Sequence, residues 1–278
     1  MNQDKFSIVV VGAGFVGKAL IEGFRNVTLA VDPLLGTKLS DIKDKPDVIF
    51  ICVPTPMGAN GDIDASIVES VLEECQHFGA LMVLKSTVSP NLVKGFAEKY
   101  KRFVYNPEFL TERNANWDFT HPISNVFGGD PQDTKLLEHI YNTYSYCEPA
   151  ETFHMTAEEA SFVKYSVNSY LTTKVLFFNQ LYKMTETAGV DFEKIRLAVT
   201  NDDRIGPKHT NVPGNDGRLG AAGACFSKDI PAFVRYSQKI KQEFSILKQV
   251  WNTNCELRNS YRQMLPREVE QHISFTKI

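Results

Sequence analysis

The sequence has 278 residues, of which 43% are apolar, and its formal net charge at pH 7 is −3. This length suffices for one large domain or two smaller ones, each with its own hydrophobic core. The near-neutral charge, without a basic run, argues against a nucleic-acid partner. No apolar segment approaches the ~20 residues that span a bilayer, so we expect no membrane partner either.

Five cysteines are scattered along the chain without the spacing of metal ligands. Their odd number does not suggest a disulfide framework, so we expect a reducing, cytoplasmic environment and no metal ion. Four of them (Cys52, Cys75, Cys147 and Cys255) have no chemistry-bearing neighbours and are interpreted as small apolar side chains. Cys225 is different, because it stands in the small-residue run GAAGACFSKD.

In chain order, short apolar runs alternate with helical patterns over the first half of the sequence. The runs predict strands at residues 7–11, 27–31, 48–53, 80–86 and 103–107, and the patterns predict helices at 15–25 and 65–77. This alternation indicates an α/β fold with a Rossmann-like, doubly wound parallel sheet.

The character of the sequence changes after about residue 152. The patterns there predict one long helix over 156–188, a loop rich in Gly, Pro and Asn over 200–224, and a return to helix over 231–264. A helix as long as the one predicted over 156–188 often bridges domains or subunits. We therefore expect a sheet domain at residues 1–152 and an all-helical domain at residues 153–278.

The hexapeptide GAGFVG, which starts at Gly12, follows a predicted strand and opens a predicted helix. In that context the pattern G-x-G-x-x-G indicates a dinucleotide site. Gly12 permits the tight turn, Gly14 lets the backbone approach a pyrophosphate, and Gly17 lets helix and strand pack closely. Phe15 and Val16 begin the helix whose N–H groups face the phosphates.

Asp32 lies 20 residues after Gly12, at the end of the second predicted strand. A carboxylate there accepts hydrogen bonds from ribose hydroxyls and repels a 2′-phosphate, and the following residues offer no arginine to hold one. The predicted cofactor is therefore NAD rather than NADP. The alternative is a glycine turn in an unrelated α/β fold.

Small residues before Cys225 let a substrate approach the backbone, and Ser227, with Asp229 and Pro231 behind it, predicts the start of a helix. A thiol near a helix N-terminus and a lysine favours the thiolate, which is the nucleophile. The alternative is a buried cysteine without a chemical role.

A thiolate and NAD together suggest a specific chemistry. Hydride transfer alone oxidises an alcohol to an aldehyde, but the aldehyde has no good hydride to give until a nucleophile adds. A cysteine adds to form a thiohemiacetal, a second hydride transfer gives a thioester, and water releases a carboxylate. The combination suggests a four-electron oxidation of a primary alcohol, with a general base and a stabiliser of the oxyanion.

Two pairs of polar residues are candidates for those roles. Lys164 and Asn168 lie four apart on the predicted long helix and share a face, although a solvated lysine has the same spacing. Glu108 and Glu112 lie four apart just after a strand end, the edge at which open α/β sheets bind ligands.

Two further segments end strands at the same edge of the predicted sheet. They are VPTP at residues 53–56 and STVSP at residues 86–90. They belong to the site by the same rule, or they are ordinary proline-bearing loops.

Seven motifs in this order resemble those of the UDP-glucose/GDP-mannose dehydrogenase family, most of all its members that oxidise UDP-glucose. They are ICVPTPM, KSTVSP, YNPEFLTE, the Lys164/Asn168 helix, DDRIG, NVPGNDG and GACFSKD. The resemblance runs from about residue 7 to about residue 235. It implies NAD-dependent, four-electron oxidation of the C6 alcohol of a nucleotide sugar, such as UDP-glucose to UDP-glucuronate, by a homodimer built around the long helix.

The resemblance also implies roles for individual residues. The implied catalytic set is Cys225 as nucleophile, Lys164 and Asn168 at the oxyanion, Asp229 and Thr87 holding water, and Glu112 as base in thioester hydrolysis. The positions implied to lie near NAD are Gly12, Gly14, Phe15, Val16, Gly17, Asp32, Val53, Pro54, Thr55, Ser86, Thr87, Glu112 and Lys228. Those implied to line the sugar site are Glu108, Phe109, Leu110, Lys164, Asn168, Gly220 and Ala222, with Arg204 reaching the partner subunit's substrate.

Three departures from the family pattern stand out. Ala222 replaces a glycine where backbone meets sugar, so its methyl group is expected to crowd that place. Ser227 replaces a proline, which we expect to be harmless. The family carries a C-terminal nucleotide-binding domain after its central helices, and the sequence, which stops at Ile278, is expected to lack it.

Without the C-terminal groups that bind the uridine diphosphate in the family, the sequence leaves several functions open. The protein is a minimal enzyme, acts on a smaller or different nucleotide sugar, or binds NAD without turnover. A further alternative is a two-electron dehydrogenase of a small hydroxy acid, which needs no Cys225.

Overall fold

The computed structural model describes residues 6–43 and 45–278. Seven strands lie within these residues: β1 (Ile8–Val11), β2 (Val27–Val31), β3 (Val48–Ile51), β4 (Leu81–Leu84), β5 (Phe103–Tyr105), β6 (Ser124–Gly129) and β7 (Glu151–Met155). They form one sheet in the order β2-β1-β3-β4-β5-β6-β7. All neighbouring strands are parallel except β5 and β6. The predicted α/β fold is confirmed, with one antiparallel pair.

Within the described residues five α-helices connect the strands: α1 (Phe15–Gly23), α2 (Ser66–Cys75), α3 (Pro90–Lys99), α4 (Ala115–Thr120) and α5 (Pro131–Tyr144). Strands β1, β3 and β4 are buried along their whole length, as expected of central parallel strands. Aromatic side chains join these layers, since Phe24, the C-cap residue of α1, and Tyr141 of α5 both pack against Phe50 of β3. The predicted helices at 15–25 and 65–77 correspond to α1 and α2.

The second half of the chain is helical. Its helices are α6 (Ala157–Ala188), α7 (Phe192–Thr200), α8 (Ala224–Lys239), α9 (Ser245–Arg258) and α10 (Pro266–Glu270). The predicted long helix is confirmed as α6, which ends before Gly189, a residue in the left-handed region with φ 68°. None of the described helices combines the length and apolar character needed to cross a bilayer.

Two helix predictions were wrong. The helix expected to begin at Ser227 begins three residues earlier, because Gly223 is the N-cap of α8, and Pro231 therefore lies inside the helix. The helix expected over 231–264 is two helices, separated by residues 240–244, where Lys241 has φ 59°. A non-glycine residue with positive φ is incompatible with a continuous helix.

Packing divides the chain into two compact units. Unit 1 comprises the described part of Met1–Thr55 together with Asp64–Lys164, and unit 2 comprises Pro56–Ile63 together with Tyr165–Ile278. The predicted domains at 1–152 and 153–278 stay predictions.

Candidate active site

The glycine-rich turn of unit 1 leaves no room for side chains at two of its positions. Gly12 has φ 94°, and a Cβ atom there would lie 2.6 Å from the carbonyl oxygen of Cys52. A Cβ atom at Gly17 would lie 1.8 Å from the carbonyl oxygen of Gly12. The close packing of β1, β3 and α1 therefore requires both glycines.

Gly14 is open instead of crowded. It is the N-cap of α1 without a side-chain cap, and a Cβ atom there would meet nothing within 4 Å. The N-terminus of α1, where Phe15 and Val16 form the first turn, thus offers N–H groups and a positive dipole end to an incoming phosphate.

Asp32 stands at the end of β2 and holds the glycine-rich turn. Its Oδ2 accepts a 2.7 Å hydrogen bond from the backbone N–H of Ala13, and its Oδ1 accepts a 2.8 Å bond from that of Leu34. A carboxylate has about four lone-pair sites, so it keeps capacity for ribose hydroxyls. Together with the open Gly14, these residues fit a dinucleotide.

The loops that follow β3 and β4 are joined to each other. The Ser86 hydroxyl donates a 2.6 Å hydrogen bond to the backbone carbonyl of Val53. Thr55 and Thr87 are buried in the same two loops, whereas Pro54 is exposed. These predicted site residues therefore lie at the carboxyl edge of the sheet, as the sequence indicated.

Glu108 and Lys164 form a buried ion pair in unit 1. The Lys164 ammonium donates to the Glu108 backbone carbonyl at 2.6 Å and to its carboxylate at 3.0 Å, and the carboxylate also accepts the Leu110 N–H at 2.7 Å. Burial alone raises the pKa of a carboxyl, but attraction and hydrogen bonding by Lys164, together with the Leu110 N–H and the charge of Lys85, outweigh it and lower the pKa of Glu108. Lys164 is thus a fixed group and not a solvated one.

Two predicted site residues that follow Glu108 in the chain differ in exposure. Phe109 is half-buried, and the Lys164 nitrogen lies 5.4 Å from its ring centroid. Glu112 is exposed and starts a short 3-10 turn over Glu112–Asn114.

Cys225 lies in the first turn of α8 in unit 2 and is half-buried. Gly223, the N-cap residue, has φ 85°, a conformation that disfavours other residues. The backbone N–H groups and the positive dipole end of a helix N-terminus favour a thiolate over a thiol.

The other four cysteines have environments that favour the protonated thiol. Burial raises the pKa of Cys52, Cys75 and Cys255 to about 12. Burial also raises the pKa of Cys147. These directions agree with their interpretation as small apolar side chains.

Asp229 is fully buried in unit 2 and accepts two strong hydrogen bonds. Its Oδ1 accepts from the Lys228 ammonium at 2.6 Å, and its Oδ2 accepts from the Asn168 amide at 2.6 Å. Asp229 lies four residues after Cys225, so the two share a face of α8. The structure therefore places three predicted site residues in one hydrogen-bonded cluster.

The loop before Cys225 is held by two asparagines that the sequence did not reveal. Asn179 on α6 accepts from the Gly220 N–H at 2.9 Å, and Asn254 on α9 accepts from the Ala221 N–H at 2.7 Å. A Cβ atom at Gly220 would lie 2.7 Å from Asn254 Oδ1. The sequence shows only an asparagine within each helix, and this does not reveal which backbone N–H the asparagine binds.

Two predicted substrate residues of unit 2 lie in different surroundings. Ala222 is half-buried and does not adopt a positive φ, so its methyl group causes no backbone strain. The Arg204 side chain is 89% exposed and pairs with Asp202 at 2.6 Å.

Within the described residues no group of three or more metal-ligating side chains occurs.

The fold and the glycine-rich turn define a dinucleotide-binding α/β protein with a helical second half. Residues 34–145 match the description "UDP-glucose/GDP-mannose dehydrogenase family, NAD binding domain", and residues 158–256 match the central domain of the same family. The chain belongs to the UDP-glucose/GDP-mannose dehydrogenase family, whose cofactor is NAD.

Curated relatives agree with this assignment. The chain is 32% identical over 235 residues to a UDP-glucose 6-dehydrogenase of Pseudomonas aeruginosa, a match that covers 79% of this chain and 49% of that protein. It is 33% identical over 222 residues to a UDP-glucose 6-dehydrogenase of Rickettsia bellii, covering 76% and 49%. The chain thus spans about half the length of the curated relatives it matches.

Solved structures share the fold. A UDP-glucose dehydrogenase of Pyrobaculum islandicum superposes with a TM-score of 0.74 at 26% identity, over 91% of this chain and 69% of that one. A 3-hydroxyisobutyrate dehydrogenase of Mycobacterium tuberculosis superposes with a TM-score of 0.69 at 14% identity, over 92% and 94%. The second likeness shows the fold alone.

Proposed function

We propose that this chain oxidises the C6 alcohol of a nucleotide sugar to a carboxylate, with UDP-glucose as the first candidate substrate and UDP-glucuronate as the product. The observation that carries the proposal is the set around Cys225: a thiol in the first turn of α8, on the same face as the buried Asp229 with its partners Lys228 and Asn168. A two-electron hydroxy-acid dehydrogenase does not need that thiol.

The proposed reaction has two oxidations and one hydrolysis. NAD, when bound, accepts the hydride that leaves the substrate carbon in each oxidation. The Cys225 thiolate adds to the aldehyde carbon, and loss of the second hydride from that carbon leaves a thioester. Water then adds to the thioester carbonyl, the C–S bond breaks, and a carboxylate and the Cys225 thiol remain.

The remaining site residues position groups and move protons. Lys164, fixed by Glu108, and Asn168 stabilise the oxyanion of the tetrahedral species. Asp229 and Thr87 hold the water, and Glu112 takes its proton. Gly14, Asp32 and the loops after β3 and β4 hold the cofactor, and Arg204 reaches the substrate of a partner subunit.

The same proposal includes a homodimer in the cytoplasm. Three large apolar side chains on α6 are exposed at intervals of seven residues: Tyr170 at 66%, Phe177 at 60% and Met184 at 69%. Such spacing forms one seam along a helix, the arrangement that a helix of a second copy covers. Sedimentation of the protein and of a Phe177→Glu variant tests this part, with a dimer expected for the first and a monomer for the second.

The test of the proposed activity compares two cysteine variants. Purified protein with NAD and UDP-glucose is expected to form NADH, and Cys225→Ser is expected to lose formation of the carboxylate while Cys147→Ser retains it. Equal carboxylate formation by Cys225→Ser and the unmodified protein contradicts the proposal. NAD binding without any NADH favours the non-catalytic alternative.

A further inference from the structure

Unit 1 contains a buried lysine that the proposed reaction does not use. Lys85 follows β4 directly and is 4% exposed. Its ammonium donates to Asn106 Oδ1 at 2.8 Å and to the Tyr141 hydroxyl at 3.4 Å. Among the described residues it makes no ion pair, so a buried charge is held by neutral oxygen atoms. Burying a charge in this way is costly, which makes a purely structural role a poor explanation.

The partners of Lys85 join several elements at one edge of the sheet. The Tyr141 hydroxyl on α5 donates to the same Asn106 Oδ1 at 2.7 Å, and the Asn106 amide donates to the Val126 carbonyl of β6 at 3.0 Å. Asn106 itself directly follows β5. The cluster of Lys85, Asn106 and Tyr141 thus fixes the backbone where the chain leaves β5.

That backbone leads directly to the ion pair of the candidate site. Glu108 lies two residues after Asn106, with Pro107 between them, and its two carboxylate oxygens accept from Lys164 and from the Leu110 N–H. A shift of Asn106 therefore moves Glu108 and, through it, the Lys164 ammonium. The short connection leaves little slack, because proline fixes its own φ and restricts the residue before it.

Besides its hydrogen bonds, the positive charge of Lys85 also influences Glu108. Burial lowers the pKa of Lys85 to about 8, and Lys85 is one of the groups that lower the pKa of Glu108. The titratable and charged groups that face Lys85 are Cys52 after β3, Glu108 after β5, Tyr141 on α5, Cys147 after α5 and Lys164 on α6. Lys85 is therefore a cation whose charge is lost at mildly alkaline pH.

We propose that Lys85 is a positioning residue: through Asn106 and Tyr141 it holds Glu108 in place, and so fixes the Lys164 ammonium. The catalytic consequence rests on the proposed function, whereas the positioning itself does not.

Hydrogen exchange tests the positioning without any enzymatic activity. The reporter is the Leu110 amide, which donates to Glu108 Oε2, and the reference is the Gly12 amide, which donates to the Val31 carbonyl at 2.8 Å. Lys85→Met keeps an unbranched side chain and removes the ammonium group, and Tyr141→Phe keeps the aromatic ring. Matched controls are Lys99→Met and Tyr100→Phe, at an exposed lysine and a buried tyrosine that both bond Glu73.

The expected result is that Leu110 exchanges about tenfold faster in Lys85→Met and in Tyr141→Phe, with Gly12 unchanged, and that both controls match the unmodified protein. If Lys85→Met also speeds the exchange of the Gly12 amide, the Leu110 exchange of Tyr141→Phe decides between the two outcomes. Unchanged Leu110 exchange in a variant that keeps the Gly12 protection overturns the proposal.

A pH profile of NADH formation tests the consequence for catalysis. We expect kcat of the unmodified protein to fall above about pH 8 as Lys85 loses its proton, and this alkaline limb to be missing in Lys85→Met. KM for NAD is expected to stay within about twofold, because the hydrogen bonds of the Lys85 ammonium go to Asn106 and Tyr141 and not to the glycine-rich turn. An unchanged alkaline limb in Lys85→Met overturns the catalytic part.

The two measurements separate the two ideas. Faster Leu110 exchange in a protein that forms no NADH supports the positioning role and contradicts the proposed function. NADH formation with unchanged Leu110 exchange supports the proposed function and contradicts the positioning role.

Discussion

The Lys164 ammonium and the Glu108 carboxylate lie 3.0 Å apart, and their side chains are 3% and 7% exposed. A buried pair of this kind is sensitive to substitution, because removal of one partner leaves the other charge buried and uncompensated. Glu108 is therefore the group that holds the Lys164 ammonium in one place and balances its charge.

Glu108→Gln is expected to reduce the free energy of unfolding at neutral pH by about 3 to 5 kcal/mol. The pKa of Glu108 is lowered in the folded protein. Its contribution to stability is therefore complete above the ordinary glutamate pKa of about 4.3 and is lost as the pH falls through the lowered value. Urea titrations from about pH 7 downward should show the difference between Glu108→Gln and the unmodified protein shrinking below that pH. The exposed Glu98→Gln serves as the control, and a difference that does not depend on pH contradicts the assignment.

Gly14→Val separates folding from cofactor binding. A Cβ atom at Gly14 meets no protein atom within 4 Å, so the variant should fold with an unchanged melting temperature. The added side chain occupies the space through which a pyrophosphate approaches α1, so the affinity for NAD should fall by about tenfold or more. Calorimetric titration with NAD measures this, with Gly95→Ala on α3 as the control. Unchanged NAD affinity would contradict the prediction that the pyrophosphate binds at the N-terminus of α1.

Asp229→Asn distinguishes a buried pair from an exposed one. Asp229 is fully buried beside Lys228, and its neutralisation should cost about 3 to 5 kcal/mol of unfolding free energy, because the Lys228 charge stays buried. Asp62→Asn, at the exposed pair with Lys239, should cost about 1 kcal/mol or less. Equal losses in urea titrations of the two variants contradict the buried arrangement.

Alkylation with iodoacetamide should select one cysteine. The first-turn position of Cys225 favours the thiolate, whereas burial raises the pKa of the other four thiols. Mass spectrometry of the folded protein at neutral pH should show Cys225 modified at least about tenfold faster than any other. Faster modification of Cys52 or Cys147, which are also half-buried, would contradict the account of the thiol.

The sequence predicted those parts of the fold that local patterns determine. The buried strands, the glycine turn, Asp32 and the long α6 each have a short-range signature. The start of α8 was missed because glycine also serves as an N-cap, so Ser227 was not needed there.

Strands β6 and β7 were not predicted, and β6 shows why. It contains Gly128 and Gly129, which weaken a strand signal. A Cβ atom at Gly128 would lie 2.6 Å from the Cβ atom of Ala160 on α6, so tertiary packing requires the glycine. No local pattern reports such a contact.

The candidate site shows the same division. Its motif residues were named from the sequence, but the asparagines that hold the Cys225 loop come from α6 and α9, far away in the chain. Lys85 was not predicted as a site residue, because its role depends on Tyr141, 56 residues further along the chain.

The most direct test of the proposed function is the number of NADH formed per UDP-glucose consumed, measured to completion with purified protein. We expect two NADH and one UDP-glucuronate per sugar nucleotide, and no UDP-glucuronate from Cys225→Ser. One NADH per sugar nucleotide, or UDP-glucuronate formed equally by Cys225→Ser, would contradict the proposed function.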